Sequence, residues 1–194
     1  MGLDPTIDVT DTIKRWPSTT SILREFGFYS YLDAAGYANS EVGKNRGSAV
    51  DKAVTWLAMG HAVPPFTEPH PELDCYLDPF KDFLTQHRWI HHSHQNFFMC
   101  QEERFVSHPD LLGLLDGKLT VLEVKTGAFP EFVRLQTAGQ IIAEGNRARR
   151  RVCINLPGNG KYKLTPLNDP RDFNAFIILA RAWWVRAEYL GKPE

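Results

Sequence analysis

Three residues of this 194-residue chain have the types and spacing to do chemistry together: Asp110, Glu123 and Lys125. They lie in the stretch His108–Gly127, where two apolar runs flank Asp116-Gly117. An Asp-Gly pair between such runs is a strong hairpin signal. A two-residue loop there pairs Leu115 with Lys118, Leu114 with Leu119, Gly113 with Thr120 and Leu112 with Val121. Continued one step past Leu111, the register sets Asp110 opposite Glu123. Directly opposed residues share a face, with Cβ atoms roughly 4.5–5.5 Å apart. Lys125, two residues further along, points to the same face. Opposed like charges destabilise a sheet, so two carboxylates beside a lysine call for a positive group between them. A divalent metal ion meets that need. The alternative, three charges on the solvent face of an ordinary hairpin, fits less well. Both faces are apolar toward the turn (Leu112, Leu114, Leu119 and Val121 on one, Leu111, Leu115, Leu122 and Val124 on the other). Such strands are buried on both sides, and their charges collect at one end, where sites in open sheets lie.

The elements that would position this hairpin follow from periodicity. Residues 1–16 read as an arm or edge strand, and 17–194 as one α/β domain. Ser18 and Thr19 cap a helix through Ile22, Leu23 and Phe26. A second helix is expected over Ser48–Met59, with Ala49, Ala53, Trp56 and Leu57 inward. Gly47 would precede its N-terminus, where an anion could bind, and Asp51 would lie one turn in. Residues 62–71 are proline-rich and read as a loop. Leu73–Arg88 reads as a helix with Leu73, Leu77, Phe80 and Leu84 inward, and Trp89–Val106 as two strands or one bent one. Pro130 opens a helix through Glu144 that places Gln136 and Gln140 on one face. A hairpin turning at Pro157-Gly158-Asn159-Gly160 and a helix over Asp172–Leu190 complete the order. The sum is a mixed α/β fold, a central sheet flanked by helices.

Composition sets bounds on function. The formal net charge is -1, so nucleic-acid binding would need a local patch; Arg147, Arg149, Arg150 and Arg151 form either that patch or a solvated turn. Three scattered cysteines exclude a zinc module or a four-cysteine iron–sulfur cluster and fit reduced thiols in a cytoplasm-like compartment. No apolar run reaches membrane-spanning length. His91, His92 and His94 invite a metal reading, with His92 and His94 sharing a strand face. With no third ligand at a matching spacing, the structural reading is preferred. Trp183 and Trp184 read as core.

Pro-Asp110…Glu123-Xaa-Lys125 resembles the PD-(D/E)XK nuclease superfamily, and four further segments in order narrow the likeness to RecB-type and phage exonucleases. These are Pro17-Ser18-Thr19-Thr20, Arg46-Gly47-Ser48-Ala49-Val50-Asp51, Glu103-Arg104-Phe105-Val106 and Lys125-Thr126-Gly127 followed by Gln136. The sequence departs from the family twice. Asp51 stands where it usually has histidine, still a competent ligand for a hard cation, and Gln140 stands where it usually has tyrosine. The resemblance implies a restriction-endonuclease-like fold and hydrolysis of DNA phosphodiesters with one or two Mg²⁺ or Mn²⁺ ions. Asp110, Glu123 and the Val124 carbonyl would hold one ion, Asp51 would complete a second position, and Glu103 would be a ligand or support one. Lys125 would orient water or stabilise the transition state, and Gln136 would position a phosphate or that water. Arg46, Ser48, Gln140 and the arginine run would touch DNA. A phage-type exonuclease is the leading expectation, with a single-strand annealing or binding protein as possible partner. A structure-specific endonuclease and an inactive DNA-binding module are the alternatives. Polarity, strandedness and oligomeric state stay open.

Overall fold

The computed structural model describes residues 16–30, 41–61, 71–127, 129–145, 148 and 150–191, with backbone alone at 41–44 and 71. The 1–15 part of the expected arm, most of the proline-rich loop, Arg147 and Arg149 lie outside these residues.

The chain opens with α1 (Thr19–Glu25), capped as the sequence suggests: the Ser18 hydroxyl accepts the Ser21 N–H at 3.0 Å. Helix α2 (Glu41–Ala58) begins seven residues earlier than expected. Lys44 and Arg46 are good helix formers, and the two interior glycines, Gly43 and Gly47, cost only about 1 kcal/mol each, so Gly47 lies within the helix and offers no N-terminus to an anion. Its buried stripe is Val50, Ala53, Val54 and Ala58, whereas Trp56 is 44% exposed. Residues 50, 53, 54 and 58 follow the three-and-four spacing, and Trp56 is turned off that face.

A 3₁₀ turn (Pro71–Leu73) leads into α3 (Asp74–Gln86), which buries Tyr76, Leu77, Phe80 and Phe83. Residues 89–107 form three strands where one or two were expected: β1 (Trp89–His94), β2 (Phe98–Cys100) and β3 (Phe105–Ser107). The central hairpin is β4 (Leu111–Leu115) and β5 (Lys118–Thr126), and its register is the one read from Asp116-Gly117. Asp116 (φ 51°) and Gly117 (φ 79°) both adopt the left-handed region that a two-residue hairpin loop demands.

From β5 the chain crosses through α4 (Val133–Glu144) to β6 (Arg150–Leu156), which pairs parallel with β5; β7 (Lys163–Pro166) and α5 (Arg171–Leu190) follow. A parallel neighbour requires such a crossover. The five-stranded sheet runs β1-β4-β5-β6-β7, parallel only between β5 and β6, and β2 and β3 form a separate pair. The fold is thus α/β, a mixed sheet with helices on both faces. On one face α2 and α3 pack over Leu111, Leu115, Leu122, Val152 and Ile154. On the other α4 lies over Leu112 and Val121, while α1, α4 and α5 share a core built on Ile22, Phe105, Val133 and Phe176. Trp183 and Trp184 belong to this second core. No helix among the described residues is long and apolar enough to cross a membrane.

Gly113 shows how tightly the sheet edge is closed. A Cβ there would stand 2.7 Å from the Trp89 ring and against the Ile90 carbonyl. Gly113→Ala should therefore cost about 1–3 kcal/mol, read as a lower urea midpoint at unchanged slope.

Candidate active site

The end of β5 carries the expected cluster. Glu123 lies on the face covered by α4 and is fully buried. Both of its oxygens are claimed: Oε1 accepts from Lys125 Nζ (2.5 Å) and Gln136 Nε2 (2.6 Å), and Oε2 accepts from Gln140 Nε2 (2.7 Å). The crossover explains this. A helix laid under β5 presents positions 136 and 140, one turn apart, to the same strand residue. Asp110 lies just beyond β4, and its Oδ2 accepts the Val124 N–H at 2.9 Å. The carboxylate thus extends the hairpin ladder by one rung. Asp51 reaches in from α2 and is held by Gln95, whose Nε2 donates to Oδ2 at 2.7 Å.

Electrostatics ties the three carboxylates together. Asp110 is held well above the usual carboxylate range, first by desolvation and then by the charge of Glu123, with a smaller push from Asp51, against the opposing pull of Lys125 and the Val124 N–H. Asp51 is raised by desolvation and then by Glu123, against the pull of Gln95. Desolvation alone would depress Lys125, but Glu123 and Asp110 more than reverse it, so the ammonium stays charged. One ammonium faces three carboxylates, and the cluster is short of positive charge.

The residues fit a hard cation. Their donors are carboxylate oxygens, the set suited to Mg²⁺ or Mn²⁺. The Oε1 atoms of Gln136 and Gln140 are buried with no hydrogen-bond partner, so two acceptors beside Glu123 want a donor. Among the described residues no three His, Cys, Asp or Glu side chains gather tightly enough to hold a metal by themselves. A cation here would take one or two carboxylates and fill its shell with water or substrate oxygens, as Mg²⁺ commonly does.

Other expected site residues lie elsewhere. Glu103 is buried but turned to α5, where Arg181 pairs with it (Nε to Oε2 2.8 Å); it sits in the turn before β3, beside Arg104 at φ 54°. Gln140 is 1% exposed and holds Glu123, so it is no DNA contact from solvent. Arg151 is buried between Asp172 and two carbonyls, and Arg150 donates to Leu115 O at the turn end of the sheet. The described part of the arginine run is therefore spent inside the fold. Arg46 and Ser48 are exposed on α2, Arg46 over the Tyr76 ring at 5.6 Å from its centroid.

Two residues of this region carried no sequence signal. Gln95 steadies Asp51 across 44 residues. Tyr29, after α1, packs against Phe132 with ring centroids 4.2 Å apart and planes tilted by 41°. Its phenol is raised first by burial, and Lys125 and Glu123 lie within electrostatic reach.

No protein-family model matches the sequence, and no curated protein is similar to it. Solved structures do resemble its shape. The alkaline exonuclease LHK-Exo from Laribacter hongkongensis is 11% identical, with TM-score 0.45 over 93% of each chain. LHK-Exo in complex with dAMP is 10% identical, with TM-score 0.46 over 92% of this chain and 90% of that one. SSO0001 is 12% identical, with TM-score 0.36 over 83% and 84%.

Proposed function

We propose that this protein is a metal-dependent nuclease that hydrolyses DNA phosphodiester bonds, as an exonuclease of the phage recombination type. The observation carrying the proposal is the charge imbalance at the end of β5, where Asp110, Glu123 and Asp51 face the single ammonium of Lys125. Clustering three mutually repelling carboxylates is costly unless a cation is meant to enter.

Asp110 and Glu123, with the Val124 carbonyl, would hold a Mg²⁺ or Mn²⁺ ion, and Asp51 would face a second position. Such an ion, when bound, lowers the pKa of water and neutralises charge developing on the phosphate. The chain's own groups supply the rest. Lys125 keeps its proton and can donate hydrogen bonds to a non-bridging phosphate oxygen or orient the attacking water. Gln136 and Gln140 lock Glu123 in one rotamer, the support a reacting geometry needs. Val124 N–H does the same for Asp110 and Gln95 for Asp51.

Linear duplex labelled at one end and covalently closed circular duplex test this together. With Mg²⁺ or Mn²⁺ the linear substrate should lose its label progressively while the circle stays closed, and chelation should stop the reaction. Nicking of the circle would make the protein an endonuclease of the same chemistry. A folded protein leaving both substrates intact in either metal would refute the nuclease reading. The binding-only alternative drew on the arginine run and on Asp51 and Gln140 standing in place of histidine and tyrosine; of that run, Arg150 and Arg151 are engaged in the fold.

A further inference from the structure

A polyanion brought to three carboxylates needs positive charge at their rim, and several arginines are already engaged elsewhere. Arg134 and Arg171 pair with Asp169, Arg151 with Asp172, Arg181 with Glu103 and Arg186 with Glu25. Arg24 is different. It is exposed at the end of α1, and no carboxylate among the described residues pairs with it. Its neighbour Glu25 is held by Arg186.

The way α1 ends places this arginine. Gly27 adopts φ 78°, in the left-handed region. Its N–H donates to Arg24 O at 3.0 Å and the Phe28 N–H to Leu23 O at 3.1 Å, the two bonds of a Schellman turn. The turn folds the chain back so that the Arg24 guanidinium lies over the Tyr29 ring, 5.2 Å from its centroid. Phe132 packs against the same ring, and Tyr29 is within electrostatic reach of Lys125 and Glu123. Arg24 is thus one side chain removed from the carboxylate cluster. A cation over a π face is steadied without giving up its N–H groups. The planar fork of a guanidinium stays available to match two oxygens of a phosphate.

We propose that Arg24, steadied by the Tyr29 ring, binds a backbone phosphate of the DNA strand beside the carboxylate cluster. The inference rests on the DNA-nuclease reading and assigns it a substrate contact that none of the sequence motifs contains. Arg24 is a positioning residue in this role, since the reacting groups are Asp110, Glu123 and Lys125.

The test is binding of an end-labelled duplex in chelator, where no strand is cut, over a series of salt concentrations. Arg24→Ala should weaken binding about tenfold at low salt and flatten the salt slope by about 0.9, the value of one B-DNA phosphate. Arg24→Lys should keep the slope and recover only part of the affinity, because an ammonium has no fork. Tyr29→Phe should match the wild type, and Tyr29→Leu, which removes the π face, should weaken binding at unchanged slope. Arg171→Ala removes an exposed arginine already paired with Asp169 and should change neither quantity. With Mg²⁺ or Mn²⁺ restored, Arg24→Ala should raise KM and leave kcat within about twofold. Thermal melts should place Arg24→Ala beside the wild type; a merely structural arginine would shift Tm and leave the salt slope alone. An unchanged slope in Arg24→Ala, or an equal loss in Arg171→Ala, would overturn the inference and leave the nuclease reading standing. The predicted slope change in a wild type that cuts no DNA would sustain the contact and sink the nuclease reading. A wild type without salt-dependent DNA binding would overturn both.

Discussion

Asp110→Asn should abolish metal-stimulated DNA hydrolysis, lowering kcat/KM on the order of 10³-fold or more, while leaving the metal-free protein as stable as the wild type or more so. The two effects share one cause. The Asp110 carboxylate is desolvated and repelled by Glu123, which keeps it above the ordinary carboxylate range. An asparagine keeps an oxygen for the Val124 N–H, bonded at 2.9 Å in the wild type, but carries no charge to repel. The protein would lose the proposed cation ligand and a source of repulsion in one substitution. Adding Mg²⁺ or Mn²⁺ should raise the wild-type melting temperature, as any ligand of the native state does, and leave that of the variant nearly where it was. A variant that lost activity through general collapse would instead melt early in both conditions. Steady-state hydrolysis of end-labelled duplex with parallel thermal melts separates these outcomes.

Arg151→Ala should produce the opposite pattern, a large loss of stability with no specific effect on DNA affinity. The Arg151 guanidinium is 3% exposed and donates to Asp172 Oδ2 at 2.9 Å, to Arg134 O at 2.8 Å and to Asp169 O at 2.9 Å. It also lies over the Phe173 ring, 4.7 Å from its centroid. Removing one partner of a buried ion pair typically costs about 3–5 kcal/mol; Arg134, 3.0 Å from Asp172 Oδ1, keeps part of the counter-charge in place, so the lower end, about 3 kcal/mol, is expected. In a chain of this size that lowers Tm by roughly 10 °C. Arg150→Ala, which removes a single bond to Leu115 O, should cost about 1 kcal/mol. If these arginines were a phosphate-binding patch, both substitutions would flatten the salt dependence of DNA binding and barely move Tm. Urea denaturation of each variant, set beside binding at two salt concentrations, decides between the roles.

What the sequence made legible was what is local or periodic. Asp116-Gly117 defines its own turn, and a turn fixes register, so the opposition of Asp110 and Glu123 could be worked out residue by residue. The spacing of Gln136 and Gln140 set both amides on one helix face. What stayed hidden was pairing across the chain. Glu103 meets Arg181 across 78 residues and Gln95 meets Asp51 across 44, and neither separation leaves a trace in local pattern. Arg151 read as part of a phosphate-binding patch or a solvated turn because its neighbours are charged. It is buried because Asp172, 21 residues on, supplies the counter-charge. The β1 bulge, where the pairing with β4 slips between His91 and Ser93, had no marker either: His91–His94 is a run of polar residues in which one residue could slip without disturbing any apolar alternation. Gly47 and Ser48 look like a helix start, yet the good helix formers before them carry α2 through.

The central claim is that Asp110 and Glu123 await a cation, and Mn²⁺ titration followed by the electron paramagnetic resonance signal of the free ion tests it without DNA or turnover. The wild type should bind Mn²⁺ saturably at one or two sites, and both Asp110→Asn and Glu123→Gln should remove at least one site while remaining folded. Equal Mn²⁺ uptake by all three proteins would contradict the account.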